Sequence, residues 1–303
     1  YFYGDISGEY HKLMYRASIG GNIDKRLGNN GFSNLTFTPV FLIGYKLNKA
    51  NSLRLQYTSN TLMPNIQQLS ESRILIMKDF YQTGNKNLRN AHQQTYELSY
   101  DLYAGPLTLQ TTLYHERNTN SFFDNYQYGN DCILRQTANA GGTLSLNYRP
   151  IKAIRIGLNF EATRQEFRPT AQSDTYRDWT YPISLMFSAR HKGLAFTYYQ
   201  KFGGHELTGL YKTGIEKVSY VNLEYEYHRV TMGVRCFFPF VKDRYTMETT
   251  PGSLVMHRTE NHLKYKDHAI AFDIAWRFNS GKRKSIDVNL ENSDEDRGSF
   301  KVK

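Results

Sequence analysis

From Gln94 onward the chain alternates. Tyr96, Leu98, Tyr100 and Leu102 fall on one side of an extended segment, and Thr95, Glu97, Ser99 and Asp101 on the other, which is the period of two that a β-strand imposes. The residues before it, "FYQTGNKNLRNA" from Phe80, are polar and rich in Asn and Gly, as a loop would be. An alternating strand can turn its apolar side to a second sheet. It can also turn that side to lipid while its charged side lines an aqueous interior.

The same alternation recurs in about twelve segments. The first covers roughly residues 10–25 (Leu13, Tyr15, Ala17, Ile19) and the second roughly 33–47 (Leu35, Phe37, Phe41, Ile43, Tyr45, Leu47). The third carries Leu53, Leu55 and Tyr57, the fourth begins at Gln94, and the fifth carries Leu107, Leu109 and Leu113. Seven more follow, through Leu144–Tyr148, Ile154–Phe160, Ile183–Phe187, Leu194–Tyr198, Val221–Tyr227, Val230–Val234 and Ile270–Phe278.

Connection lengths separate the two readings. Short links, "NKAN", "AGP", "RPIK", "RHKG" and "YHR", follow the second, fourth, sixth, eighth and tenth segments. The odd-numbered ones from the third are expected to lead into loops of roughly 15 to 30 residues, the rhythm of a barrel with tight periplasmic turns and extended outer loops. Several segments reach about 11 to 17 residues, against about 5 to 6 in globular sheets, long enough to cross a bilayer when tilted. Tyr45, Tyr148, Trp179, Tyr181, Tyr198, Trp276 and Phe278 gather near segment ends, where amphipathic rings suit a membrane interface. The expectation is an all-β fold, a transmembrane antiparallel up-and-down β-barrel in the outer membrane of a Gram-negative bacterium. It covers residues 1–278, with a polar tail at 279–303. Tyr96, Leu98, Tyr100 and Leu102 then face lipid, and Glu97 and Asp101 face the lumen.

Composition agrees with this fold and removes competitors. Mean hydropathy is −0.61, yet Tyr and Phe number 24 and 18, too aromatic for a disordered chain. The longest apolar run, "PVFLIG", falls far short of a membrane helix. The net charge of +10 is scattered, apart from Lys282, Arg283 and Lys284, which are read as solvated or near lipid headgroups. With no recognisable nucleic-acid module, nucleic acid is not expected as a partner. Cys132 and Cys236 offer no metal or disulfide pattern and are read as isolated thiols.

Three quoted stretches carry a family resemblance: "NLTFTPVFLIGYKLNKANSLRLQYTSN", "MPNIQQLS" and "YQTGNKNLRNAHQQTYELSY". They resemble the barrel domain of TonB-dependent outer-membrane receptors, of the outer-membrane β-barrel type abundant in Bacteroidetes. The last alternating segment, "AIAFDIAWRFNSGKRK", resembles that family's final strand. Met63-Pro64-Asn65 stands where the family has Arg-Pro-Ser, and Lys86 where it has a loop proline. The resemblance implies a barrel of about 22 strands around an N-terminal plug, driven by the TonB complex. This chain, in which neither plug nor TonB-contacting box is recognised, would be the C-terminal half of such a barrel, the alternative being a self-contained barrel of about twelve strands. Its partners would be outer-membrane lipid, the remaining strands and plug, TonB through that missing part, and a small-molecule substrate. The family loop motif is Gly84, Asn85, Asn87 and Leu88.

Chemistry beyond transport is thin. The nine His are dispersed and none lies beside an evident nucleophile, so no catalytic site is expected. His257 and His262 lack a third ligand for a metal, and no cofactor is implied. Substrate contacts are expected from the outward loop at Asn60–Ala91, taken as the longest, through Arg73, Lys78, Asp79, Tyr81 and Arg89. The function expected is uptake of a scarce nutrient, a metal chelate or glycan fragment. The alternative is a plugless barrel acting as a passive pore, adhesin or scaffold.

Overall fold

The computed structural model describes residues 2–25, 33–77, 80–125, 131–168, 174–208, 211–242, 244–250 and 257–278. The strands are β1 (Phe2–Tyr10), β2 (Leu13–Lys25), β3 (Ser33–Lys46), β4 (Asn51–Leu62), β5 (Ile74–Met77), β6 (Phe80–Gln82) and β7 (Ala91–Ala104). They continue as β8 (Leu107–Asn125), β9 (Asp131–Ile151), β10 (Ile154–Arg168), β11 (Tyr176–Thr180), β12 (Ile183–His191), β13 (Leu194–Phe202) and β14 (His205–Thr208). The last are β15 (Tyr211–Gly214), β16 (Val218–Tyr227), β17 (Val230–Phe237), β18 (Arg244–Thr249), β19 (Arg258–His262) and β20 (Ile270–Trp276). One helical turn, α1 (Ile66–Leu69), lies between β4 and β5.

A 14-stranded antiparallel sheet follows the order β1-β2-β3-β4-β7-β8-β9-β10-β12-β13-β16-β17-β20, with β11 attached to β10. Each long strand pairs with its neighbour along the chain, an up-and-down meander. The path holds one strand more than the alternation predicts. Residues 10–25 prove to be the last residue of β1, the turn at 11–12 and β2, and β1 pairs with β2 from Phe2↔Gly21 to Tyr10↔Leu13. The missed strand places Gly4 and Gly8 among its apolar positions Phe2, Ile6 and Tyr10, which thins the signal.

At one rim every link is tight, through residues 11–12, 47–50, 105–106, 152–153, 192–193 and 228–229. His11, Lys192 and His228 adopt positive φ there, with Gly105 and Gly193, matching the right-handed strand twist as hairpin turns require. The opposite rim carries the long connections. Two expectations about it are corrected. Between β8 and β9 the strands themselves continue to Asn125 and resume at Asp131, replacing the expected loop. The longest connection runs over 238–269, between β17 and β20, rather than over 63–90.

The sheet is inverted relative to a water-soluble protein. Along β2, β3 and β4 the row Tyr15–Ile43–Leu55 and its neighbour Ala17–Phe41–Tyr57 share one face, and these rings and aliphatic chains are largely exposed. Ser18, Thr36, Ser99, Thr163 and Asn222, on the other face, are buried. Leu88, Ala91, Phe167 and Phe238 are the buried apolar residues among those described, too few to drive folding in water. The apolar face needs lipid to cover it. Tyr96 and Leu98 lie on that face, while Glu97 pairs with Gln56 and Tyr114 on the other. Among the described residues β1 and β20 end the path without pairing to each other. No described helix is long and apolar enough to cross a membrane.

Candidate functional site

The inward face is a polar wall. Arg16 on β2 bonds Asp5 Oδ1 at 3.0 Å and Tyr3 OH at 3.0 Å on β1, and Lys46 on β3 meets Glu9 at 2.8 Å. Further round, Tyr114 crosses from β8 over β9 to donate to Glu161 on β10 at 3.2 Å, and Thr163 donates to the same carboxylate at 2.7 Å. Gly141 stands opposite both Tyr114 and Thr163, so the ring passes over a position without a side chain. Arg155 holds Asn147 Oδ1 through Nε and Nη2. These groups suit a hydrated interior and would be costly against acyl chains.

Above this wall, three long connections are laced together. The one between β13 and β16 contributes β14 and β15, and the one between β17 and β20 contributes β18 and β19. They form a single four-stranded sheet, β14-β15-β18-β19. The connection between β10 and β12 contributes β11, whose Asp178 reaches that sheet. Lys212 Nζ lies 2.6 Å from Asp178 Oδ2, His205 Nε2 lies 2.9 Å from it, and Tyr176 donates to it at 3.3 Å. Two backbone N–H groups reinforce the join by donating to side chains: His205 N to Thr180 Oγ1 at 3.0 Å and Leu207 N to Gln165 Oε1 at 2.9 Å.

The electrostatics of this cluster follow from partial burial. Desolvation alone would raise Asp178, but the Lys212 hydrogen bond, the His205 and Lys212 charges and the Trp179 N–H together hold it below its ordinary value. Desolvation, then the Lys212 charge, lowers His205 against the opposing pull of Asp178 and Glu248. Lys212 is raised: burial works against its charge, and Asp178 outweighs burial. Burial, with the nearby Asp178 charge, raises Tyr176. The favoured state is a carboxylate and an ammonium beside a neutral imidazole and a neutral phenol. None of these four residues carries a sequence signature. "TYRDWTYP" and "HELT" look like ordinary loop, and only the lateral pairing brings them together.

The connection over 63–90 is organised by the predicted loop motif, which acts on backbone. Asn65 caps α1 with a capping box, accepting from Gln68 N at 2.8 Å while Gln68 Oε1 accepts from Asn65 N at 2.9 Å. Gly84 N donates to Ser70 O at 2.8 Å and Asn85 N to Gln68 O at 2.7 Å. A Cβ on Gly84 would collide with the carbonyl oxygens of Gln67 and Gln68, so glycine is required by close approach. Asn87 N bonds Asn85 Oδ1 at 2.9 Å as an Asx-turn, and Leu88 is buried. Lys86, at the family's proline position, pairs with Glu71 at 2.8 Å.

Among the substrate-contact candidates, Arg73 is exposed just before β5, Arg89 is exposed between buried Leu88 and Asn90, and Tyr81 lies in β6. Lys78 and Asp79 lie outside the described residues, as does the tail at 279–303 with Lys282, Arg283 and Lys284. His257 and His262 turn to different partners, Thr259 Oγ1 at 2.8 Å and Asp267 Oδ2 at 2.7 Å. Cys236 is a free thiol on the outward side of β17, and nothing is described of the Cys132 side chain.

An apolar outer face, a polar inner face, one rim of tight turns and one of extended connections define a transmembrane β-barrel wall. Residues 16–238 match the outer membrane protein beta-barrel family, and the chain belongs to it, as a protein of the Gram-negative outer membrane. No curated protein matches it in sequence. In structure it resembles the siderophore receptor PirA from Pseudomonas aeruginosa, with TM-score 0.57 and 12% identity over 78% of this chain and 44% of that one. It also resembles the FrpB iron transporter from Neisseria meningitidis (F3-3 variant), with TM-score 0.56 and 9% identity over 78% of this chain and 40% of that one. The chain therefore spans less than half the length of either protein. At these identities the likeness concerns the fold.

Proposed function

We propose that this chain forms the C-terminal part of the barrel wall of a TonB-dependent outer-membrane receptor, of the type abundant in Bacteroidetes, that imports a scarce nutrient such as a metal chelate or a glycan fragment. The observation that carries the reading is the lacing of three outer connections at the rim of a polar wall whose two edge strands stay unpaired among the described residues. A lipid-facing sheet cannot leave backbone groups unpaired, and further strands between β1 and β20 would supply the missing partners. A wall completed in that way leaves a lumen wide enough to hold a plug.

The fit to about two-fifths of two metal-related transporters supports the same architecture. The plug and the contact with TonB would belong to the remainder of the barrel protein. Arg73, Lys78, Asp79, Tyr81 and Arg89 are proposed as cargo contacts from the 63–90 connection. No catalysis is assigned.

Uptake assays test the proposal. Cells deleted for the whole barrel protein should lose accumulation of one labelled ferric siderophore or oligosaccharide. Uptake in the parent should stop when the inner membrane is de-energised. Uptake that survives de-energising would instead mark a passive pore.

A further inference from the structure

The outward positions of β1, β3, β4, β7, β12, β13, β16, β17 and β20 carry no Arg, Lys, Asp or Glu. β8, β10 and β11 break that rule over three successive outward rows, and β2 only at its outer end, at Lys25. Cross-strand partners on the outward face run Tyr57–Tyr96–His115–Ala140–Arg164–Trp179. Two residues further out, the row continues through Arg117–Ala138–Glu166–Arg177, and Arg168 stands beyond it.

The first row is an aromatic girdle. Tyr57 and Tyr96 lie 4.8 Å apart, Tyr96 and His115 stack at 6.4 Å, and Trp179 stacks on Tyr181 at 6.0 Å. Its depth follows from the register. Four two-residue steps separate it from the Tyr148 row at the tight-turn rim. Each step rises about 6.8 Å along the strand, or about 5 Å in depth at a tilt near 45°. The girdle thus lies about 19 Å above the Tyr148 row and the Arg117–Arg177 row about 24 Å, at the top of an apolar band roughly 25 Å tall. Arg117 and Arg177 stand at headgroup level, against lipid rather than bulk water, and Arg164, rooted one row lower, reaches up to Glu166.

Four guanidinium groups face one carboxylate. Glu166 Oε1 takes Arg164 Nη2 at 2.6 Å and Arg177 Nε at 3.1 Å, which orients both, and Arg168 Nε donates to Thr175 Oγ1 at 3.2 Å. Between Arg117 on β8 and the arginines of β10 and β11, strand β9 presents only Ala138 and Ala140. The two methyl groups floor a trough about two strand spacings wide, about 10 Å, with arginine on both walls. We infer that this trough binds the phosphate of a phosphorylated glycolipid headgroup in the outer leaflet. Planar guanidinium donors match phosphate oxygens, the small floor lets the headgroup descend, and the girdle takes its acyl chains. The inference rests on the membrane orientation of the wall and not on its cargo.

The test uses the full-length protein extracted from native outer membranes into mild detergent, delipidated and then offered diphosphorylated lipid A, its dephosphorylated form, or inorganic phosphate. The wild type should bind only the first tightly. The triple variant Arg117→Gln, Arg164→Gln, Arg177→Gln should bind it on the order of a hundredfold more weakly, each arginine contributing on the order of fivefold near an anionic surface. Unchanged binding by the variant overturns the site, and equal affinity for inorganic phosphate overturns the lipid as its occupant. Heat-modifiable gel migration confirms that the variant is folded. If it is not, Arg117→Gln alone, which leaves both Glu166 pairs intact, carries the test with an expected loss of about fivefold.

Discussion

Asp178 on β11 and Lys212 on β15 meet at 2.6 Å and tie the connection before β12 to the one before β16. Both side chains are about three-quarters buried, between a solvated ion pair and a core one. Asp178→Asn leaves Lys212 without its nearest anion. The expected cost is on the order of 1 to 2 kcal/mol of local stability. Hydrogen exchange at β14 and β15 should then accelerate roughly 5- to 30-fold with β8 and β9 unchanged. Uniform exchange across all of these strands would show that the lacing is not a local unit.

Acid should open the same join in two stages. His205 is lowered from 6.5 in the folded state, so folding favours the neutral imidazole. That stabilisation is complete above about 6.5 and is lost as pH falls toward the lowered folded value. Asp178, lowered from 3.8, adds a second loss at more acidic pH. Lys212, raised from 10.5, keeps its contribution until strongly alkaline pH. In a Trp276→Phe background, Trp179 emission should step once as pH falls below about 6.5 and again below about 4. His205→Asn should remove only the first step.

Gly84 pins the 63–90 connection by close approach. Gly84→Ala should displace the base of that connection at a cost of about 1 to 3 kcal/mol, the range for overpacking against atoms that cannot move aside. Limited proteolysis within 63–90 reads the change. Gly4→Ala, at a position with nothing within 4 Å of the added Cβ, should leave the digestion pattern untouched.

The two faces of β7 should respond oppositely to charge. Leu98→Arg places a guanidinium against lipid and should cost about 2 to 4 kcal/mol. The loss would appear as a reduced fraction of heat-modifiable barrel in refolded full-length protein. Glu97→Arg, one residue away on the inward face, should refold normally. Equal losses would contradict the facing of the strand.

Alternation at Tyr96, Leu98, Tyr100 and Leu102, and in eleven further segments, was enough to establish strands, facing and the membrane as solvent, because side-chain polarity records locally what each face touches. The tight turns were legible for the same local reason. Alternation fades where lipid no longer demands an apolar face, so the outer reaches of β8 and β9 and all of β14, β15, β18 and β19 looked like loop although their backbones pair. Lateral pairing of such segments rests on backbone hydrogen bonds that many sequences can make. Only the tertiary register could bring Asp178 to His205 and Lys212, or set Arg117 in one row with Glu166 and Arg177.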